Sequence, residues 1–147
     1  VNPKNIELGD GCQIDDFVHI IASQRVRIGR RAHVACFSSL AGGGEITLGD
    51  FVGVSAGSRL LSGTDDFLGG GLTGPTIPAE FRSVTRSFVR VGKHAILGTN
   101  TIVHPGVEIG EGVATGSATL VTPASVGLRP LAPPTTGSTR AASRLPR

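Results

Sequence analysis

The chain has 147 residues, enough for one domain, with 22 glycines, 9 prolines and no tryptophan, tyrosine or methionine. Its formal charge of +3 is small, the acidic residues all lie at or before Glu111, and Arg129, Arg140, Arg144 and Arg147 follow them. The basic bias is thus partly a property of the last segment, and no aromatic residues interleave with basic ones, so no nucleic-acid partner is expected.

No run of 18 apolar residues exists, so no membrane span is expected. No leader pattern is visible, and the default location is the cytoplasm. Val1 stands inside an apparent motif, which suggests a processed or truncated start. Cys12 and Cys36 have neither zinc nor redox spacing and read as two small buried residues.

The first half of the chain repeats every 20 residues. Leu8-Gly9-Asp10, Ile28-Gly29-Arg30 and Leu48-Gly49-Asp50 recur in step. Between them aliphatic anchors fall every sixth residue: Leu8, Ile14, Ile20; Ile28, Val34, Leu40; Leu48, Val54, Leu60. The remaining two residues of each period sit at one corner, where Ala22-Ser-Gln24 and Ala41-Gly-Gly-Gly44 fall. Phe17, Phe37 and Phe51 lie in the turns between anchors, placed to cover a corner or to face a neighbouring subunit.

The strongest regularity runs from Val91 to Val121, with anchors at Val91, Leu97, Val103, Ile109, Thr115 and Val121. Gly follows four of the first five. A period of six fits neither a helix nor a lone strand. It fits a short strand with one inward apolar residue, then a tight turn. Three such units close a triangular coil of 18 residues, and coils stack through parallel ladders. Leu8, Ile14, Val54, Leu97, Val103 and Ile109 should then be buried, and Thr101 and Thr119 should stack at an inward position.

These units, over roughly Ile6 to Thr122, resemble the hexapeptide-repeat acyltransferases. That resemblance implies an all-β, left-handed parallel β-helix over residues 1–122. An excursion over 61–90 interrupts it. The segment 123–147, rich in Pro, Thr, Ser and Arg, reads as a disordered tail.

The excursion contains Ser62-Gly-Thr-Asp-Asp-Phe67 and Leu72-Thr-Gly-Pro-Thr-Ile-Pro-Ala-Glu-Phe81, and the coils after it contain Val103-His-Pro-Gly-Val-Glu-Ile-Gly110. Pro75 and Pro78 disfavour regular structure inside it, and a long irregular loop in a compact repeat protein is usually functional. The combination is similar to bacterial sugar O- and N-acetyltransferases. It implies acetyl-CoA as acyl donor, a sugar or nucleotide-sugar acceptor, a homotrimer with sites at subunit clefts, and a role in cell-surface polysaccharide synthesis. In many relatives the loop carries a histidine where this chain has Asp65.

Attack of a hydroxyl on a thioester needs a general base, whereas a neutral amine needs less activation. Asp65 could serve if Asp66 raised its pKa by like-charge repulsion; alternatively the two carboxylates cap a turn. His94, just after the loop returns, is the second candidate. His104 precedes Pro105, and His19 and His33 should point outward.

The resemblance places coenzyme A against small residues at Thr99, Ser117 and Thr122. Arg82, Arg86, Arg90 or Lys93 are candidates for its phosphates. Three zinc-binding histidines at suitable spacing are not present, so no metal is expected. The competing reading is a non-catalytic β-helix that serves assembly or binding.

Overall fold

The computed structural model describes residues 1–127. The chain winds into five coils, each with three short sides. The first coil is β1 (Ile6–Leu8), β2 (Gln13–Ile14) and β3 (His19–Ile20). The second is β4 (Val26–Ile28), β5 (His33–Val34) and β6 (Ser39–Ala41). The third is β7 (Glu45–Leu48), β8 (Gly53–Val54) and β9 (Arg59–Leu61). The excursion contributes β10 (Gly63–Asp65) and β11 (Val84–Arg86). The fourth coil is β12 (Phe88–Val91), β13 (Ile96–Leu97) and β14 (Ile102–Val103). In the fifth, β15 (Val107–Ile109) and β16 (Leu120–Val121) flank a single bridge from Ala114 to Ile96.

The three sides are parallel sheets, β1-β4-β7-β12-β15, β2-β5-β8-β13 and β3-β6-β9-β14-β16. Register follows the anchors. Leu8 lies opposite Ile28, Ile28 opposite Leu48, Leu48 opposite Val91, and Val91 opposite Ile109. The parallel β-helix expected from the repeat is therefore the architecture. Among the described residues no helix is long and apolar enough to cross a membrane.

The core is the column of inward anchors. Ile28, Val34, Leu40, Leu48, Val54, Leu60, Leu97 and Val103 are all at most 1% exposed. Burial of each such side chain contributes about 1.5–3 kcal/mol. Two expected core residues are not buried: Leu8 is 56% and Ile14 36% exposed. Both belong to the first coil, which has a coil stacked on one side only. Cys12 and Cys36 are half-buried and unpaired, rather than buried.

The glycine that follows the anchor owes its place to close approach, not to unusual backbone angles. A Cβ on Gly29 would lie 2.5 Å from the carbonyl carbon of Gly49, and one on Gly92 2.6 Å from the amide nitrogen of Glu111. Gly110, in the last coil, would meet nothing closer than 3.7 Å, the side chain of Val113. Left-handed angles fall three residues after the anchor instead. At the first corner they belong to Gly11, Arg31, Phe51, His94 and Gly112, and at the second to Phe17, Phe37, Gly57, Asn100 and Ala118. For a non-glycine residue such a conformation costs roughly 1–2 kcal/mol.

The turn offsets that cost by aiming the amide along the coil axis. The N–H of Arg31 donates to Asp10 O, that of Phe51 to Arg30 O, that of His94 to Asp50 O, and that of Gly112 to Lys93 O. The phenylalanines stand outside the corners, where Phe17 stacks on Phe37 at 5.1 Å and Phe51 on His94 at 5.0 Å.

Inside the second corner runs a file of hydroxyls, Ser38, Ser58, Thr101 and Thr119, all buried. They donate to turn carbonyls that the ladders leave free. Ser58 Oγ reaches Ser55 O at 2.7 Å and Gly98 O at 3.2 Å, and Thr101 and Thr119 both reach Gly116 O. The inward stacking of Thr101 and Thr119 expected from the repeat is thus present.

Two further departures concern the interruptions. The excursion leaves β9 after Leu61 and rejoins at Phe88, and it holds an antiparallel strand pair and a 3₁₀ turn, Ala79–Phe81, where an irregular loop was expected. Pro123–Gly127 forms a short helix, α1, where the tail was expected to begin. The rest of that expected tail lies outside the described residues.

Gly29→Ala should therefore destabilise the protein by about 1–3 kcal/mol through overpacking. Gly110→Ala, which meets no backbone, should change stability by no more than about 0.5 kcal/mol. Thermal unfolding of the two variants separates close approach from turn conformation: equal losses would contradict it.

Candidate active site

The excursion leaves the stack at the third corner through a narrow neck. Ser62 is buried there, and its Oγ accepts from the Gly44 N–H at 3.0 Å and donates to Ala41 O at 2.9 Å. The Ser87 N–H donates to Ser62 O at 2.7 Å and closes the neck. β10 and β11 then pair Gly63 with Arg86, Thr64 with Thr85 and Asp65 with Val84. Beyond them the tip exposes Phe67, Leu68, Leu72 and Phe81.

Asp65 ends β10 with both carboxylate oxygens engaged. Arg82 Nη2 donates to Oδ1 at 2.7 Å, and the Gly74 N–H donates to Oδ2 at 3.1 Å. The two side chains keep about a fifth of their surface open, 20% for Asp65 and 21% for Arg82. The Arg82 hydrogen bond, assisted by the Gly74 amide, holds the Asp65 carboxyl below its ordinary pKa. An upward push from Asp66, one of the two alternatives the sequence left open, is not there. Asp66 turns away and caps the tip, accepting from the Leu68 N–H at 2.7 Å and the Gly70 N–H at 2.6 Å. Of the two alternatives left open by the sequence, turn capping describes Asp66, whereas Asp65 is an ionised carboxylate at the base of the loop.

The other candidates occupy different corners. His94 sits at the first corner, exposed and stacked on Phe51, at the far end of β12 from the neck. No hydrogen bond or ion pair joins it to Asp65 among the described residues. His104 is the histidine that follows β14 on the loop's own corner, half-buried. His33 faces outward and pairs with Asp15 at 3.0 Å.

Thr99 and Ser117 lie together at the second corner, where the Ala118 N–H donates to Thr99 O at 2.7 Å. There Gly98 and Gly116 approach so closely that a Cβ on Gly98 would meet the Gly116 carbonyl carbon at 2.6 Å. Thr122 does not join them. It lies at the third corner and caps α1: its Oγ1 accepts from the Ser125 N–H at 3.2 Å, and its own N–H donates to Ser125 Oγ at 2.7 Å.

Asp65 and the Thr99–Ser117 corner therefore lie at opposite ends of one side of the triangle. Four strand residues span about 13 Å.

No protein-family model matches the chain. It is 32% identical over 118 residues to dTDP-4-amino-4,6-dideoxy-D-glucose acyltransferase of Escherichia coli, covering 80% of this chain and 62% of that protein. It is 30% identical over 116 residues to the putative lipopolysaccharide biosynthesis O-acetyl transferase WbbJ of Escherichia coli K12, covering 79% of this chain and 50% of that protein. Among solved structures it superimposes on a serine-to-cysteine variant of AntD, an N-acyltransferase from Bacillus cereus, in complex with dTDP-4-amino-4,6-dideoxyglucose and coenzyme A, with a TM-score of 0.77. That match is 38% identical and covers 82% of this chain and 64% of that one. A hexapeptide-repeat acetyltransferase from Vibrio cholerae, 13% identical with a TM-score of 0.62 over 78% of this chain, shares the fold. The chain's homologues are thus sugar acyltransferases, and it spans half to about two thirds of their length.

A carboxylate whose folded-state pKa is depressed adds stability above its unfolded value and loses it as pH falls through the folded one. Asp65 should therefore hold the Gly74 amide in place to pH values below the ordinary aspartate range. Amide exchange by NMR should show Gly74 protection collapsing only there, and weakened at neutral pH in Asp65→Asn. Protection indifferent to both would contradict the clasp.

Proposed function

We propose, for a chain whose homologues are hexapeptide-repeat sugar acyltransferases, that it transfers an acyl group, acetyl in the simplest case, from its coenzyme A thioester to the amino group of a nucleotide-linked sugar. The observation that carries this reading is the state of Asp65. A carboxylate held low in pKa is a weaker base, less suited to draw a proton from a sugar hydroxyl before attack. An amine attacks with its own lone pair and becomes acidic only once the C–N bond has formed. Asp65 is suited to that later proton.

The step runs as follows. The amine nitrogen adds to the thioester carbonyl carbon and a proton passes from the cationic nitrogen to Asp65. The C–S bond then breaks, and the proton leaves with the coenzyme A thiolate to give the amide and the free thiol.

The comparisons support the same acceptor. A dTDP-amino-sugar acyltransferase and a structure with a dTDP-amino sugar stand among the relatives. AntD has also been crystallised as single-site variants of an aspartate and of a serine ten positions before it. Ser55 is the one serine of this chain with an aspartate ten positions on, and that aspartate is Asp65. Ser55 begins the second corner of the third coil, on the corner that also carries Thr99 and Ser117. Asp65 stands at the third corner, one side of the triangle away, so the pair is suited to meet one substrate across a subunit boundary. This supports a homotrimer in which the loop of one chain faces the second corner of its neighbour. The cytoplasmic location expected from the sequence accompanies this reading.

Asp65→Asn should lower kcat by about 100-fold or more with acetyl-CoA and dTDP-4-amino-4,6-dideoxyglucose. His94→Ala, at a different corner, should keep turnover within about twofold. Full turnover in Asp65→Asn would remove the base, and no amide product from the unaltered chain would return it to the non-catalytic reading.

A further inference from the structure

The charged groups of the excursion are Asp65, Asp66, Glu80, Arg82 and Arg86. Of these, Arg82 is the one that bonds Asp65 among the described residues: it contributes the shorter hydrogen bond, and the other donor there is the neutral Gly74 amide. Asp66 is committed to the tip amides. Asp65 and Arg82 come from the two sides of the neck, so the pair forms only when the hairpin closes.

The pair is poorly explained as a staple. Arg82 Nε is buried with no acceptor among the described residues. An arginine placed for stability would use more of its donors, and a largely buried ion pair is weak evidence for stability in any case. What the geometry does achieve is orientation. Each carboxylate oxygen accepts one hydrogen bond and retains one acceptor site, and the carboxyl plane is fixed between two donors.

We propose that Arg82 is the positioning residue for Asp65, orienting its carboxylate so that the remaining acceptor sites face the amino group under attack. This rests on the reading of Asp65 as the group that receives the amine proton. In this reading Arg82 acts through Asp65.

The test combines a titration with a double-mutant cycle on the full chain. Carbon-13 NMR of the Asp65 carboxyl should show its midpoint rising in Arg82→Gln, and by less in Arg82→Lys, which keeps the charge but loses the fork. With acetyl-CoA and dTDP-4-amino-4,6-dideoxyglucose, Arg82→Gln should lower kcat about tenfold or more while KM for acetyl-CoA stays within about twofold. In an Asp65→Asn background the same change should have no further effect on kcat. Where Arg82→Gln fails to fold, Arg82→Lys carries the test, with a midpoint above that of the unaltered chain.

An unmoved midpoint, or an undiminished kcat effect in the Asp65→Asn background, overturns the role of Arg82 and leaves the base intact. Wild-type kcat in Asp65→Asn overturns the base, and Arg82's role with it.

Discussion

The vertical spacing of the coils governs this molecule. Parallel strands in a ladder lie about 4.8 Å apart, and every corner must stack at that same spacing. The consequences appear one above another. Glycines follow the anchors because a Cβ there would enter the next coil's backbone, as Gly29 and Gly92 show and the unstacked Gly110 does not. The left-handed residues tilt their amides along the axis, so that Phe51 and His94 bond to Arg30 and Asp50 in the preceding coil. The inward hydroxyls of Ser58 and Thr101 satisfy turn carbonyls that no ladder reaches.

Such a stack has little freedom except at its corners, and chemistry has to be added there. The excursion departs at a corner whose neck is stitched by Ser62 and Ser87. Above the neck the chain is released from the coil spacing, and it builds its own two-stranded support for Asp65. Arg82 and Gly74, both within the excursion, give that carboxylate its partners. The stack contributes a second surface, the corner bearing Ser55, Thr99 and Ser117. The stack's width separates that surface from Asp65 within one chain, and that separation supports a site shared between subunits.

The coil was legible because its period is local. One aliphatic anchor every six residues sets the strands, the register and most of the core. End effects are not local, so Leu8 and Ile14 carried the pattern of core residues without being covered. The positive-φ positions were hidden as well: Arg31, Phe51 and His94 have no side-chain signature for a left-handed turn, and only the coil beside them explains the conformation. The partner of Asp65 was beyond reach for the same reason. Arg82 lies 17 residues away, across a hairpin that Pro75 and Pro78 argued against. Whether Asp66 raised the Asp65 pKa or capped a turn stayed open because adjacency was visible and orientation was not. Thr122 is different, since a Thr placed just before Pro123 at the first helical position is a readable helix-start signal.

The central claim is that Asp65 receives the proton of an amine that attacks a thioester held by the neighbouring chain. A crystal structure of the full chain with coenzyme A and dTDP-4-amino-4,6-dideoxyglucose tests it most directly. The account predicts the sugar nitrogen within hydrogen-bond reach of an Asp65 oxygen, about 2.6–3.2 Å, with the coenzyme A sulfur beside Thr99 and Ser117 of another subunit. A sugar nitrogen bound away from Asp65, or both substrates held by one chain alone, would contradict it.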